Sequence, residues 1–123
     1  MSLKPFFWDY NITDIVHLGA VLAHELCHAY FTLNFYGDDL VDKICEGTCE
    51  LWGYVYLMAQ EKESVEAKYR MKVMRENTDK IYGDGFRLAL EAYEKNPDLL
   101  NLMKFIKKQK KFPTKKGEVA IGA

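Results

Sequence analysis

The sequence predicts a mainly α protein, a compact bundle of about four to five helices with at most one or two short strands at its N-terminal end. Three observations carry this. The 123 residues are 49 % hydrophobic, enough to bury one core in a single domain. Apolar residues recur at helical rather than alternating spacing through most of the chain. Helix punctuation falls at regular intervals, at Gly37, at Tyr82–Gly85, at Asn96-Pro97 and at Pro113.

The elements follow in chain order. Residues 1–11 form a lead in which Pro5–Asp9, rich in aromatics, can make one strand. Asn11 and Thr13 are candidate caps for a first helix over about 13–34, apolar on most sides and therefore expected to be buried. Asn34–Asp39, with Gly37 inside, reads as the turn that ends it. A second helix starts near Asp39 or Leu40 and runs to about Gln60, apolar nearly all round through Ile44, Leu51, Trp52, Val55 and Leu57. Residues 61–80 are charged and helix-prone, with a thinner stripe at Val65, Tyr69, Val73 and Met74. Tyr82-Gly83-Asp84-Gly85 reads as a break. Phe86–Lys95 and Asp98–Lys110 are the last two helices, the final one stopped by Pro113. The organisation is one domain over 12–113, followed by a basic tail over 114–123.

The formal net charge is −1, which excludes a broadly basic nucleic-acid binder. Residues 101–123 hold seven lysines and one acid, most simply a solvated helix face running into the tail. Three cysteines give no disulfide framework, no signal segment follows Met1, and the longest apolar run contains three histidines and Glu25. A cytoplasmic protein without a membrane span is therefore expected. The oligomeric state is left open by the sequence.

That apolar run contains His24-Glu25-Leu26-Cys27-His28. On a helix, positions i and i+4 lie on one face, so both imidazoles can bind one metal ion with Glu25 beside it as a general base. Chance produces such a match in on the order of one chain in a few hundred of this size, so a third ligand matters. The second helix offers Glu46 and Glu50, an i, i+4 pair in apolar surroundings where an unpartnered carboxylate is costly. The expected site is zinc on His24, His28 and Glu46, with Glu50 accepting the free ring N–H of a ligating histidine. Gly47 is expected to let the first and second helices approach closely. Cysteine ligation through Cys45 and Cys49 competes with this reading, although Cys27 points about 100° off the histidine face. Two hydrogen-bonded core histidines are the bland alternative. His17 fits a core or supporting place better than a ligand place.

The order of Ala23–Tyr30, Glu46–Cys49, Tyr82–Arg87 and Lys111-Phe112-Pro113 carries a resemblance. Across about residues 13–113, the chain resembles the C-terminal peptidase domain of the plant ubiquitin-activated, LIM-domain metallopeptidases that restrict organ growth. The wider clan is the gluzincins, zincin-like HExxH peptidases whose third ligand is a glutamate on a following helix. The resemblance implies a zinc metallopeptidase acting on a protein or peptide substrate, with Glu25 catalytic and His24, His28 and Glu46 on zinc. A zinc-activated water would attack the peptide bond. The resemblance favours Glu46 over Glu50 as ligand, because Glu46 stands in the Glu-Gly pair. Tyr82 and Arg87 become possible substrate or transition-state contacts, with Tyr54 and Tyr30 behind them. A glycine turn pinned by a buried Tyr and an Arg ion pair explains the same block without chemistry. Nothing in the 123 residues resembles the ubiquitin-interacting or LIM segments, so ubiquitin-dependent activation is not carried over. The clan usually places a small sheet before the HExxH helix, and about a dozen residues precede it here. The alternative function is therefore a zinc-stabilised binding or regulatory module derived from the same fold.

Overall fold

A computed structural model describes residues 12–113. The expected strand at Pro5–Asp9 and the tail over 114–123 lie outside the described residues. Five α-helices follow in order: α1 Ile12–Leu33, α2 Asp42–Gln60, α3 Val65–Glu76, α4 Gly85–Lys95 and α5 Leu99–Gln109. No strand occurs among the described residues. The mainly α expectation holds.

The central element is α2, against which α1, α3, the Lys80–Asp84 turn and α4 all pack. Its apolar residues on every side reflect that position. Leu51 and Leu57 are fully enclosed, together with Phe86 of α4 and Leu102, Met103 and Ile106 of α5. The Tyr36 hydroxyl donates to the Met103 carbonyl at 2.7 Å and ties the first loop to α5.

Four expectations change. First, α1 is not buried all round: Ile15, Leu22, Leu26 and Leu33 are 49–73 % exposed. At about 100° per residue these four form one stripe roughly opposite His24, and α2 and α3, the two described helices that pack on α1, leave it uncovered. Second, Tyr82–Gly85 is not a break. The Asp84 N–H donates to the Asp79 carbonyl at 2.9 Å, closing a wide π-type turn over Lys80–Asp84 that runs directly into α4. The Asp79 carboxylate starts this turn by accepting from the N–H groups of Ile81 and Tyr82. Third, α5 ends at Gln109 because Lys110 adopts a left-handed conformation with φ 59°. This comes before Pro113 can act.

The fourth concerns Gly47, which faces α4 rather than α1. A Cβ on Gly47 would lie 2.4 Å from the Gly85 carbonyl, and one on Gly85 would lie 2.5 Å from the Lys43 carbonyl. The two helices thus cross backbone on backbone at a glycine pair. Contact between α1 and α2 is made elsewhere, at Gly53 against the Ala20 carbonyl and at Gly19 against the Tyr56 ring.

Candidate metal centre

The α1–α2 packing places the two charged faces of these helices against one another. His24 Nε2 lies 3.1 Å from Glu46 Oε1, His28 Nε2 lies 3.1 Å from the same oxygen, and the two Nε2 atoms are 3.2 Å apart. The three atoms form a nearly equilateral triangle. The other ring nitrogens point outward to separate partners. His24 Nδ1 is 2.8 Å from Glu50 Oε1, and His28 Nδ1 is 3.8 Å from Cys45 Sγ. With Nδ1–H donating outward, each neutral imidazole presents its Nε2 lone pair inward.

This arrangement tests the fit of a metal. Two imidazole lone pairs and a carboxylate in mutual contact repel one another unless something positive sits among them. A proton can do this, and the structure leans that way: His24 has its pKa raised above 6.5, first by its hydrogen bond to Glu50 and against its own burial, and further by the charges of Glu50 and Glu46. A metal ion does it for all three groups. Tetrahedral binding at about 2.0–2.2 Å would separate the donors by roughly 3.3–3.6 Å, a small outward adjustment from the triangle seen here. The residues therefore fit a zinc-sized ion with two nitrogen donors and one oxygen donor.

Cys49 Sγ also lies within 4.8 Å of these donor atoms. Its thiol is pushed up by a hydrogen bond to Cys27 and by burial, and that of Cys45 is pushed up first by its bond to Cys49. Two thiols held towards the protonated form, Cys49 and Cys45, thus back the site. The metal-ligating form of cysteine is the thiolate, which this setting disfavours.

Glu25 is exposed and lines a cleft of about 390 Å³ beside His24 and Glu50. The far wall of this cleft comes from α3, through Arg70, Val73 and Met74. His17 is exposed and lines the same cleft, not the core. Tyr82, on the π-type turn, lays its ring along that of His24, with centroids 6.5 Å apart and planes 22° from parallel. The neighbouring Glu46 charge holds its phenol above the ordinary range, so Tyr82 keeps its proton beside the His24 ring.

Arg87 is placed otherwise. Its guanidinium donates to the Arg75 and Asn77 carbonyls, at 3.0 and 2.6 Å, and pairs with Asp84. It pins the end of α3 to the turn that carries Tyr82, and so positions that residue without reaching the triangle. Tyr54 accepts from Arg75 at 2.8 Å and packs on Phe86, while Tyr30 packs on Trp52 and Tyr36. Neither stands at the site. The sequence reading missed the α3 wall, and it weighed Cys45 as a ligand rather than as the neighbour of His28 Nδ1. The α3 stripe at Val73 and Met74 was visible as an apolar face, but nothing in the chain order said which helix it would oppose.

No curated protein and no solved structure matches the chain. The family model described as DA1-like, Protein DA1, matches residues 13–73. That span contains His24, Glu25, His28, Glu46 and Glu50 and stops before the Tyr82–Arg87 turn. The match is a likeness to that family over residues 13–73, just under half of the chain.

Proposed function

We propose that the chain is a zinc-dependent metallopeptidase that hydrolyses peptide bonds. The observation that supports this best is the convergence of His24 Nε2, His28 Nε2 and Glu46 Oε1 within 3.1–3.2 Å, beside a cleft lined by Glu25. His24, His28 and Glu46 would hold a zinc ion, whose positive charge would acidify water and polarise a carbonyl. Glu25, open to the cleft, accepts the proton of the attacking water and returns it to the leaving amine. The Tyr82 hydroxyl, beside His24, donates to the oxygen that gains charge during attack. Glu50 holds the His24 ring by accepting from Nδ1. All three cysteines are free, and we assign the protein to the cytoplasm on that ground.

A zinc-stabilised, non-catalytic module is the second reading. It draws on the ligand set joining only α1 and α2, so that an ion there would cross-link the two helices whatever else it did. One experiment separates the two. Protein purified without chelator is assayed for metal content and for cleavage of an unstructured peptide pool, beside Glu25→Gln. The expected outcome is about one zinc per chain in both proteins, chelator-sensitive cleavage by the parent, and a loss of at least a hundredfold in the variant. Zinc without cleavage supports the module. A Glu25→Gln protein as active as the parent removes Glu25 from the mechanism.

A further inference from the structure

A second cleft, of about 440 Å³, lies on the other side of His28. His28 lines this cleft and is also a corner of the ligand triangle. Its Nε2 faces the ligand triangle, and its Nδ1 faces Cys45, which also lines this cleft. A peptide crossing the triangle can therefore extend into it.

Two residues of this cleft are unexplained by the fold. Phe35 has φ 58°, in the left-handed region that favours glycine. It sits in a helix C-terminal motif: the Tyr36 N–H donates to the Phe31 carbonyl at 3.1 Å and the Phe35 N–H to the Thr32 carbonyl at 3.3 Å. Glycine is the usual residue at that position. The Phe35 side chain is 85 % exposed, so among the described residues no burial offsets the strained backbone. Strain of this kind gathers at functional sites. The second residue is Asp38. Its neighbour Asp39 pairs with Lys110 at 3.6 Å, whereas Asp38 has no ion pair among the described residues. An aromatic face and a free carboxylate in one cleft suit a long cationic side chain, whose stem lies on the ring and whose charge meets the acid.

We propose that this cleft is the substrate subsite for a lysine or arginine side chain, held by Phe35 and Asp38. The proposal rests on the peptidase reading for its substrate, but its binding claim stands without hydrolysis.

The test uses the full chain reconstituted with zinc. On a randomised peptide pool, cleavage sites of the parent should be enriched in Lys and Arg at one fixed distance from the cut bond. Asp38→Asn should remove that enrichment. Phe35→Gly should move two readouts in opposite directions: Tm rises by a few degrees as the strain is relieved, while KM for a basic peptide rises about tenfold with kcat less changed. A merely structural Phe35 cannot produce that pair. Binding is read separately on Glu25→Gln, by NMR titration with a lysine-containing peptide and its norleucine analogue. Selective shifts at Phe35 and Asp38 by the lysine peptide uphold the subsite even if the parent hydrolyses nothing, in which case the peptidase reading alone falls. Equal binding of the two peptides overturns the proposal. So does a lowered Tm for Phe35→Gly, which would mean that this chain itself packs on the ring.

Discussion

At the scale of single residues, the site is governed by which proton sits on which nitrogen. Glu50 fixes Nδ1–H on His24 and raises the pKa of that ring in the metal-free protein. The sign of the linkage follows. A raised folded pKa gives stability that is fully present below the unfolded value of about 6.5 and is lost as pH rises through the folded value. Chelator-treated protein should therefore gain Tm on acidification from pH 8 towards 6, and Glu50→Gln should flatten that gain. An unchanged profile in the variant would mean that Glu50 does not set the His24 proton. Zinc requires the neutral ring, so metal binding and this protonation oppose each other. The i, i+4 spacing of both pairs was legible in the chain. The contact of Cys45 with His28 was not, because whether its sulfur meets His28 or solvent depends on how α2 is rotated about its axis.

Among the elements, the π-type turn and the glycine pair decide whether Tyr82 reaches His24. The turn is held on one side by Arg87 against the end of α3. On the other side it continues into α4, which crosses α2 at Gly47 and Gly85. Gly85→Ala places a methyl group 2.5 Å from the Lys43 carbonyl, a backbone atom that cannot swing aside. The expected loss is about 1–3 kcal/mol by urea unfolding, as for other overpacked sites. A cost below about 0.5 kcal/mol would show that the crossing has slack. In sequence, Tyr82-Gly83-Asp84-Gly85 looked like an ordinary break, because glycine is read as punctuation. Here the absent side chains serve close approach: a Cβ on Gly83 would lie 2.1 Å from the Asn77 carbonyl. A sequence marks where side chains are missing, but not whether the space is used for a turn or for a neighbour. The exposed stripe on α1 teaches the same lesson from the other side. Its leucines looked like core because apolar residues encircle the helix, yet α2 and α3 cover only part of it.

For the whole molecule, an ion bound by His24, His28 and Glu46 would join α1 to the central helix. Any ligand of the folded state alone stabilises by mass action, about 2.7 kcal/mol at a hundredfold excess over Kd. Adding zinc to metal-free protein should therefore raise Tm, and His28→Ala should abolish the rise without unfolding the chain. A zinc-dependent rise that survives in His28→Ala would place the metal elsewhere. Among the described residues, no helix is long and apolar enough to cross a membrane. By itself the sequence determined that the chain is helical and that His24, His28 and two carboxylates share helical faces, because helix periodicity is a local property of the backbone. It also determined the order of the helices and the turns at Gly37 and Asn96-Pro97. Only the tertiary structure decided that Glu46 meets both Nε2 atoms while Glu50 meets Nδ1, that α3 walls the cleft, and that Phe35 stands exposed beside Asp38. Those facts depend on the rotation and crossing of packed helices, which the shapes of side chains far apart in the chain set jointly.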